Sequence, residues 1–158
     1  MTRYHCWIII GPNNVRKGST IRSLIGVSQK TTARVSLTNG QWLEFANVLI
    51  SSVNEKQPVP TPEQWLQSLL HGATSARKNV IFPLRHDKDP RVPNAHDAYP
   101  YIHALDQAGA FIESIVTLGR DIPTWVPPLG VPFAGIPNSA DTPTSVTAKQ
   151  MRHFWGWE

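Results

Sequence analysis

A single cysteine, Cys6, leaves the 158-residue chain with neither an internal disulfide nor a multi-cysteine zinc site. An oxidising compartment is therefore not required, and a reduced, cytoplasmic location is expected. Long apolar runs are also missing. The longest, around WIIIG, falls far short of the roughly 20 residues that span a bilayer. Met1 is not followed by the apolar stretch of about 7 to 15 residues that marks a secretory signal. A soluble protein without a membrane partner is expected. Acidic side chains are the scarcer sign, 11 against 15 Lys and Arg, and the resulting charge of +4 favours an anionic partner. Nucleotide, nucleic acid and an acidic protein surface all remain open on that ground. Hydrophobic residues at 41% and charged residues at 16% exclude a disordered chain, and the length suits one domain spanning residues 1–158. No internal repeat is present.

The pattern of elements is mostly alternating. YHCWIII, Tyr4 to Ile10, is β-branched or aromatic and is stopped by Gly-Pro, the pattern of a short buried strand. Ile21, Leu24 and Ile25 recur at helical spacing behind a capping Ser19, and Gly26 ends that helix. Asn39-Gly40 joins Ala33–Thr38 to Gln41–Ser51 as a hairpin, because both turn residues tolerate positive φ. Thr61-Pro62-Glu63 reads as N-cap, first-turn proline and acidic first turn of a helix reaching Leu70. Lys78–Leu84 is a second buried strand, Tyr99–Ala108 a helix ended by Gly109, and AFIESIVTLG a further strand. The stretch RDIPTWVPPLGVPFAGIPNSADTP carries too many prolines for regular structure, and Thr144–Trp155 closes the chain as a helix. Strands alternating with helices predict an α/β layered fold.

Between the first strand and the first helix lies GPNNVRKGST. Gly11 follows the strand and Lys17 stands six residues later, as in the pattern G-x-x-x-x-G-K-[ST] that cradles phosphate between a strand and a helix. The segment resembles the Walker A loop of the P-loop NTPase superfamily, and the likeness continues through the order of elements to about Gly119. Two of four defining positions differ. Arg16 replaces the second glycine, at a cost of about 1 to 2 kcal/mol if its φ is positive. Gly18 replaces the magnesium-binding hydroxyl, with Ser19 and Thr20 directly after it.

The resemblance implies a three-layer P-loop NTPase-like domain with a parallel or mixed central sheet. It implies ATP or another NTP, with Mg²⁺, as ligands, held by Gly11, Asn14, Arg16, Lys17, Gly18, Ser19 and Thr20, with Ser19 toward the metal. The altered loop points to binding with weak or absent hydrolysis, because two cations at a helix start hold an anion without a metal. NVIFPLRHD places Arg85 and His86 ahead of Asp87, so no metal-binding aspartate ends that strand. A small kinase using Mg-ATP is the enzymatic alternative, in which Lys17, Arg85, Arg91 and Arg120 act on transferring phosphate. A basic nucleic-acid- or protein-binding module without catalysis is the other.

RHDKDPRVPNAHD collects Arg85, His86, Asp87, Asp89, Arg91, His96 and Asp97 and resembles a kinase lid, while its spacing matches no recognised metal motif. Each residue alone reads most simply as part of a solvated loop. Trp155 and Trp157 read as locks of the closing helix onto the core, the alternative being base stacking beside Arg152 and His153. Cys6 reads as a small buried hydrophobe rather than a nucleophile.

Overall fold

A computed structural model describes residues 3–12, 15–26, 33–55, 58–70, 77–88, 90–91, 95–119 and 121–158. The elements are β1 (Arg3–Gly11), α1 (Lys17–Ile25), β2 (Ala33–Ser36), β3 (Trp42–Val48), α2 (Pro62–Leu70), β4 (Arg77–Arg85), α3 (Ala98–Gln107), β5 (Phe111–Leu118), β6 (Phe133–Ile136) and α4 (Thr144–Trp155). Single 3-10 turns occupy Val53–Glu55 and Pro127–Leu129. The fold is α/β, with a six-stranded mixed sheet in the order β2-β3-β4-β1-β5-β6. Only the hairpin pair β2 and β3 is antiparallel; β3, β4, β1, β5 and β6 run parallel. No helix among the described residues is long and apolar enough to cross a membrane.

β1 is central because its continuous apolar run suits burial on both faces. Cys6, Ile8 and Ile10 join one core, shared with Trp65 and Leu69 of α2 and with Tyr101, Ile102 and Leu105 of α3. Trp7 and Ile9 join the other, shared with Ile21 and Leu24 of α1 and Ala148 and Met151 of α4. Helices therefore cover both faces. Each fully buried aliphatic side chain stabilises the fold by roughly 1.5 to 3 kcal/mol, and a truncation such as Ile9→Ala removes part of one core while leaving the other intact.

Local chemistry explains the boundaries. Gly40 takes φ 84 in the hairpin turn, where Asn39 Oδ1 accepts the Gln41 N–H at 3.0 Å. β2 ends at Ser36 where the hairpin turn begins, the Leu37 N–H donating to Gln41 O at 2.8 Å, and the chain's last residues pair alongside: Leu37 bridges Trp157, the Thr38 N–H donates to Gly156 O at 2.9 Å, and the Glu158 N–H donates to Ser36 O at 2.9 Å. At the start of α2 a reciprocal capping box forms. Thr61 Oγ1 accepts the Gln64 N–H at 3.1 Å, and Gln64 Oε1 accepts the Thr61 N–H at 3.0 Å. Pro83 is tolerated inside β4 because β3 stops pairing at Ile81, so the missing N–H falls beyond the ladder on that side.

One expectation fails here. The proline-rich stretch contains β6, which pairs in parallel with β5 from Phe133 opposite Ile115 to Ile136 opposite Leu118. The four-residue run FAGI lies between Pro132 and Pro137 at the sheet's edge, so the prolines bound the strand instead of breaking it.

Candidate functional site

The sheet order fixes where a ligand crevice belongs. From β1 the chain passes through α1 and the hairpin to β3, returns through α2 to β4 at the flank of β1, and then crosses through α3 to β5 on the other flank. Connections therefore depart in opposite directions around β1. In open sheets of this kind ligands settle outside the carboxyl ends of the strands, at that reversal. The loop 11–20 begins there.

Gly11 ends β1 under tight contact: a Cβ would lie 2.7 Å from both Leu118 O and Val15 Cγ2. Its carbonyl accepts the His86 N–H at 3.0 Å, which ties the loop to the end of β4. Gly18 has a similar role on the other side, since a Cβ would meet Ile50 O at 2.8 Å. Its smallness lets the start of α1 approach the backbone beyond β3. Arg16 stands at the N-cap with φ 63 and ψ 38, alone among the described non-glycine residues in having positive φ. The loop thus keeps the left-handed turn that a glycine would adopt freely, at about 1 to 2 kcal/mol. The Arg16 guanidinium donates to Thr142 O at 3.4 Å, bracing the loop against the segment before α4.

Lys17 is the first residue of α1 and only 7% exposed. Its ammonium folds back beneath the turn, donating to Pro12 O at 2.8 Å and to Glu55 Oε1 at 3.2 Å. Burial lowers the Lys17 pKa below the usual lysine value, Glu55 opposes that shift, and the nearby Arg85 charge adds to it. The first intrahelical bond of α1 runs from the Thr20 N–H to Arg16 O at 2.9 Å. The amides of Lys17, Gly18 and Ser19 consequently have no acceptor within the helix, and the N-cap residue Arg16 supplies no side-chain cap. With the positive end of the helix dipole, they form a donor cluster beside a buried ammonium.

The remaining expected residues divide. Ser19 is exposed in the first turn, and the helix starts two residues ahead of it, so it is not the cap that its side chain suggested. Thr20 is buried, its Oγ1 without a hydrogen-bond partner. Arg85 ends β4 near Lys17, whereas Arg91 lies in an exposed turn. Asn14, Arg120 and Asp89 lie outside the described residues. In the charged loop, His86 Nε2 is 3.8 Å from Asp87 Oδ1, and Asp97 Oδ1 accepts the Lys88 N–H at 2.6 Å.

Two site residues are not singled out by the sequence pattern, Asn54 and Glu55, both in the 3-10 turn after β3. Asn54 is fully buried and clamps β4: its Oδ1 accepts the Arg85 N–H at 2.9 Å, and its Nδ2 donates to Arg85 O at 2.7 Å and His96 O at 3.1 Å. Glu55 is the counterion of Lys17. Their signal is an Asn-Glu pair just past a predicted strand, where parallel sheets place ligand-facing groups.

Among the described residues no three His, Cys, Asp or Glu side chains gather as a metal-holding group. Magnesium calls for an octahedron of oxygens anchored by one or two carboxylates. Among the described residues, Gly18 occupies the hydroxyl position, Glu55 is engaged by Lys17, and the Asp87 side chain is 80% exposed, so these residues do not make up that donor set. Cys6 is fully buried and its thiol is pushed up to about 12, chiefly by burial, which leaves it without nucleophilic character. Trp157 is buried in the core of α1 and α4, and Trp155 Nε1 donates to Ser114 Oγ at 2.8 Å. Arg152 donates to the carbonyls of Ser23 and Leu24 at the end of α1. The closing helix is thus locked onto the core. Compared with family models, with curated proteins and with solved structures, the chain has no match in any of the three.

Proposed function

We propose that the protein binds a phosphate-bearing ligand, a nucleotide or a similar anion, at a P-loop-like cradle formed by the turn after β1 and the first turn of α1. In this reading the sheet with helices on both faces is a three-layer P-loop-like domain. The observation that carries it is the arrangement at Lys17: a buried ammonium under a left-handed turn, next to three helix amides that have no intrahelical acceptor. A phosphate oxygen satisfies several of these donors at once, each through a charge-assisted hydrogen bond.

Binding is an exchange. Glu55 holds Lys17 in the free protein, and the incoming phosphate takes the ammonium from the carboxylate. Arg85 adds positive charge at the carboxyl end of β4 and draws the anion toward the same crevice. No step of this binding passes through a metal ion, and turnover is expected to be weak or absent. The test is calorimetric titration with ATP and with pyrophosphate, with and without Mg²⁺, on the native chain and on Lys17→Ala. Metal-independent binding lost in the variant is the expected result. Binding that demands Mg²⁺ would favour the kinase alternative, and no binding of either ligand at low salt would overturn the proposal.

A further inference from the structure

At the same carboxyl end of the sheet, three aromatic rings from three chain segments meet in the open. His86 follows the end of β4, Tyr99 lies in the first turn of α3, and Trp125 comes from the loop after β5. The Trp125 ring centroid is 5.4 Å from that of Tyr99 and 6.3 Å from that of His86. Tyr99 also stacks on His103 at 5.9 Å with 28° between the planes, so its orientation is set from the helix side. The anchoring is firm. Trp125 packs on the core of α2 and α3, next to the fully buried Val126, and the Ala98 N–H donates to His86 O at 3.0 Å. Yet Tyr99 is 41% exposed and the His86 side chain 32% exposed. Packing accounts for the anchored edges of these rings and leaves their outer surfaces unexplained.

Their position relative to Lys17 follows from the hydrogen bonds. Successive carbonyls of one turn, Gly11 O and Pro12 O, accept the His86 N–H and the Lys17 ammonium. The rings therefore begin a few residues' span from the ammonium, on the order of 10 Å. His86 follows β4, Tyr99 opens the helix after it and Trp125 follows β5, so the rings stand at the carboxyl ends of the two strands that flank β1, where the sheet order reverses. A nucleoside phosphate can bridge a span of that order between its phosphate and its heterocycle.

We propose that Trp125, Tyr99 and His86 form a stacking surface for the planar ring of the phosphate-bearing ligand, which makes that ligand a nucleoside phosphate in preference to a sugar phosphate or inorganic anion. The assignment rests on the phosphate-binding reading of Lys17 and adds a second, separable contact. Stacking of a base on aromatic side chains tolerates any base, because every base has a π-face.

The experiment titrates the full chain with pyrophosphate, with the four ribonucleoside triphosphates and with adenosine, and repeats the series on Trp125→Ala, Tyr99→Ser and Lys17→Ala. The best triphosphate is expected to bind on the order of ten-fold tighter than pyrophosphate. Trp125→Ala and Tyr99→Ser should each shrink that margin several-fold while leaving pyrophosphate affinity unchanged, and Lys17→Ala should weaken both ligands. If pyrophosphate binds through Lys17 and no triphosphate binds tighter, or the margin survives both aromatic substitutions, the stacking surface is overturned and the phosphate cradle stands. Adenosine binding that depends on Trp125, with no pyrophosphate binding, would overturn the cradle and with it the assignment of a nucleoside phosphate, leaving only a surface that stacks planar rings. Binding of nothing would overturn both. Should Trp125→Ala fail to fold, Tyr99→Ser, at an exposed position, gives the same reading.

Discussion

The two ends of the sheet carry charged groups of similar kind arranged to different effect. At the amino end His5 Nδ1 is 2.6 Å from Glu113 Oε1, Arg77 Nη2 lies 3.9 Å from the same oxygen, and Arg77 Nε donates to Asn79 Oδ1 at 2.9 Å. Those residues belong to β1, β5 and β4, three adjacent strands, so the ladder itself sets their separations. Asn79 extends the circuit to a fourth strand, its Nδ2 donating to Glu44 O of β3 at 2.9 Å. At the carboxyl end the groups come from a strand end, a 3-10 turn and a helix start: Glu55 faces the Lys17 ammonium, the Arg85 charge lies near that ammonium, and the first amides of α1 have no intrahelical acceptor. One end sets its charges by strand-to-strand register, while the other gathers them from a strand end, a turn and a helix start.

The largest expected effect tests that difference directly. Lys17→Met should weaken pyrophosphate binding by about 10- to 100-fold, the ~1.5 to 3 kcal/mol of a hydrogen bond to a charged group. His5→Phe, at the opposite end, should leave it unchanged in the same calorimetric titration. Equal losses in both variants would erase the distinction between the ends.

Glu55→Gln should move affinity the other way. It removes the carboxylate that competes for Lys17 and retains a side chain of the same shape, so pyrophosphate should bind about five-fold tighter, equivalent to ~1 kcal/mol. A loss of affinity would show that Glu55 organises the cradle.

A pH series sharpens the comparison further. Burial holds the Lys17 pKa below its ordinary 10.5. Between that lowered value and 10.5 the unfolded chain binds more protons than the folded one, so this group's contribution to stability rises with pH across that window. Phosphate affinity should fall over the same window, as the ammonium is lost. Stability from thermal melts and affinity from titration therefore change in opposite directions, and parallel changes would rule out Lys17 as the shared cause. The smallest effect concerns backbone strain. Arg16→Gly should raise stability by ~1 kcal/mol, roughly 2 to 4 °C in Tm, by relieving the left-handed residue at φ 63.

Much of the fold was legible because local and global preferences agree. The continuous apolar run of β1 could only be buried on both faces, and α4 occupies Thr144–Trp155 as its spacing and the glycine after it demand. The capping box at Thr61 and the Asn-Gly turn are encoded within four residues each. β6 was obscured because proline density speaks of the backbone N–H supply, which matters less at an edge. The helix start was misplaced because Ser19 has the better capping side chain, while Gly18 and Lys17 are drawn in by contacts with Ile50 and Glu55, distant in sequence. For the candidate site, the loop itself was visible as a motif. Its counterion was not, since Glu55 meets Lys17 only once β3 and β4 are stacked beside β1 in that order.

The two cores meet at one strand. Cys6, Ile8 and Ile10 point to one and Trp7 and Ile9 to the other, so a slip of β1 by a single residue would exchange the occupants of both. Lys17 follows directly on this strand's loop, and the helix it opens is held at its end by Arg152, which donates to the Ser23 and Leu24 carbonyls. A change of register in that strand would therefore carry the Gly11 and Pro12 carbonyls, and the His86 and Lys17 groups bonded to them, out of place together.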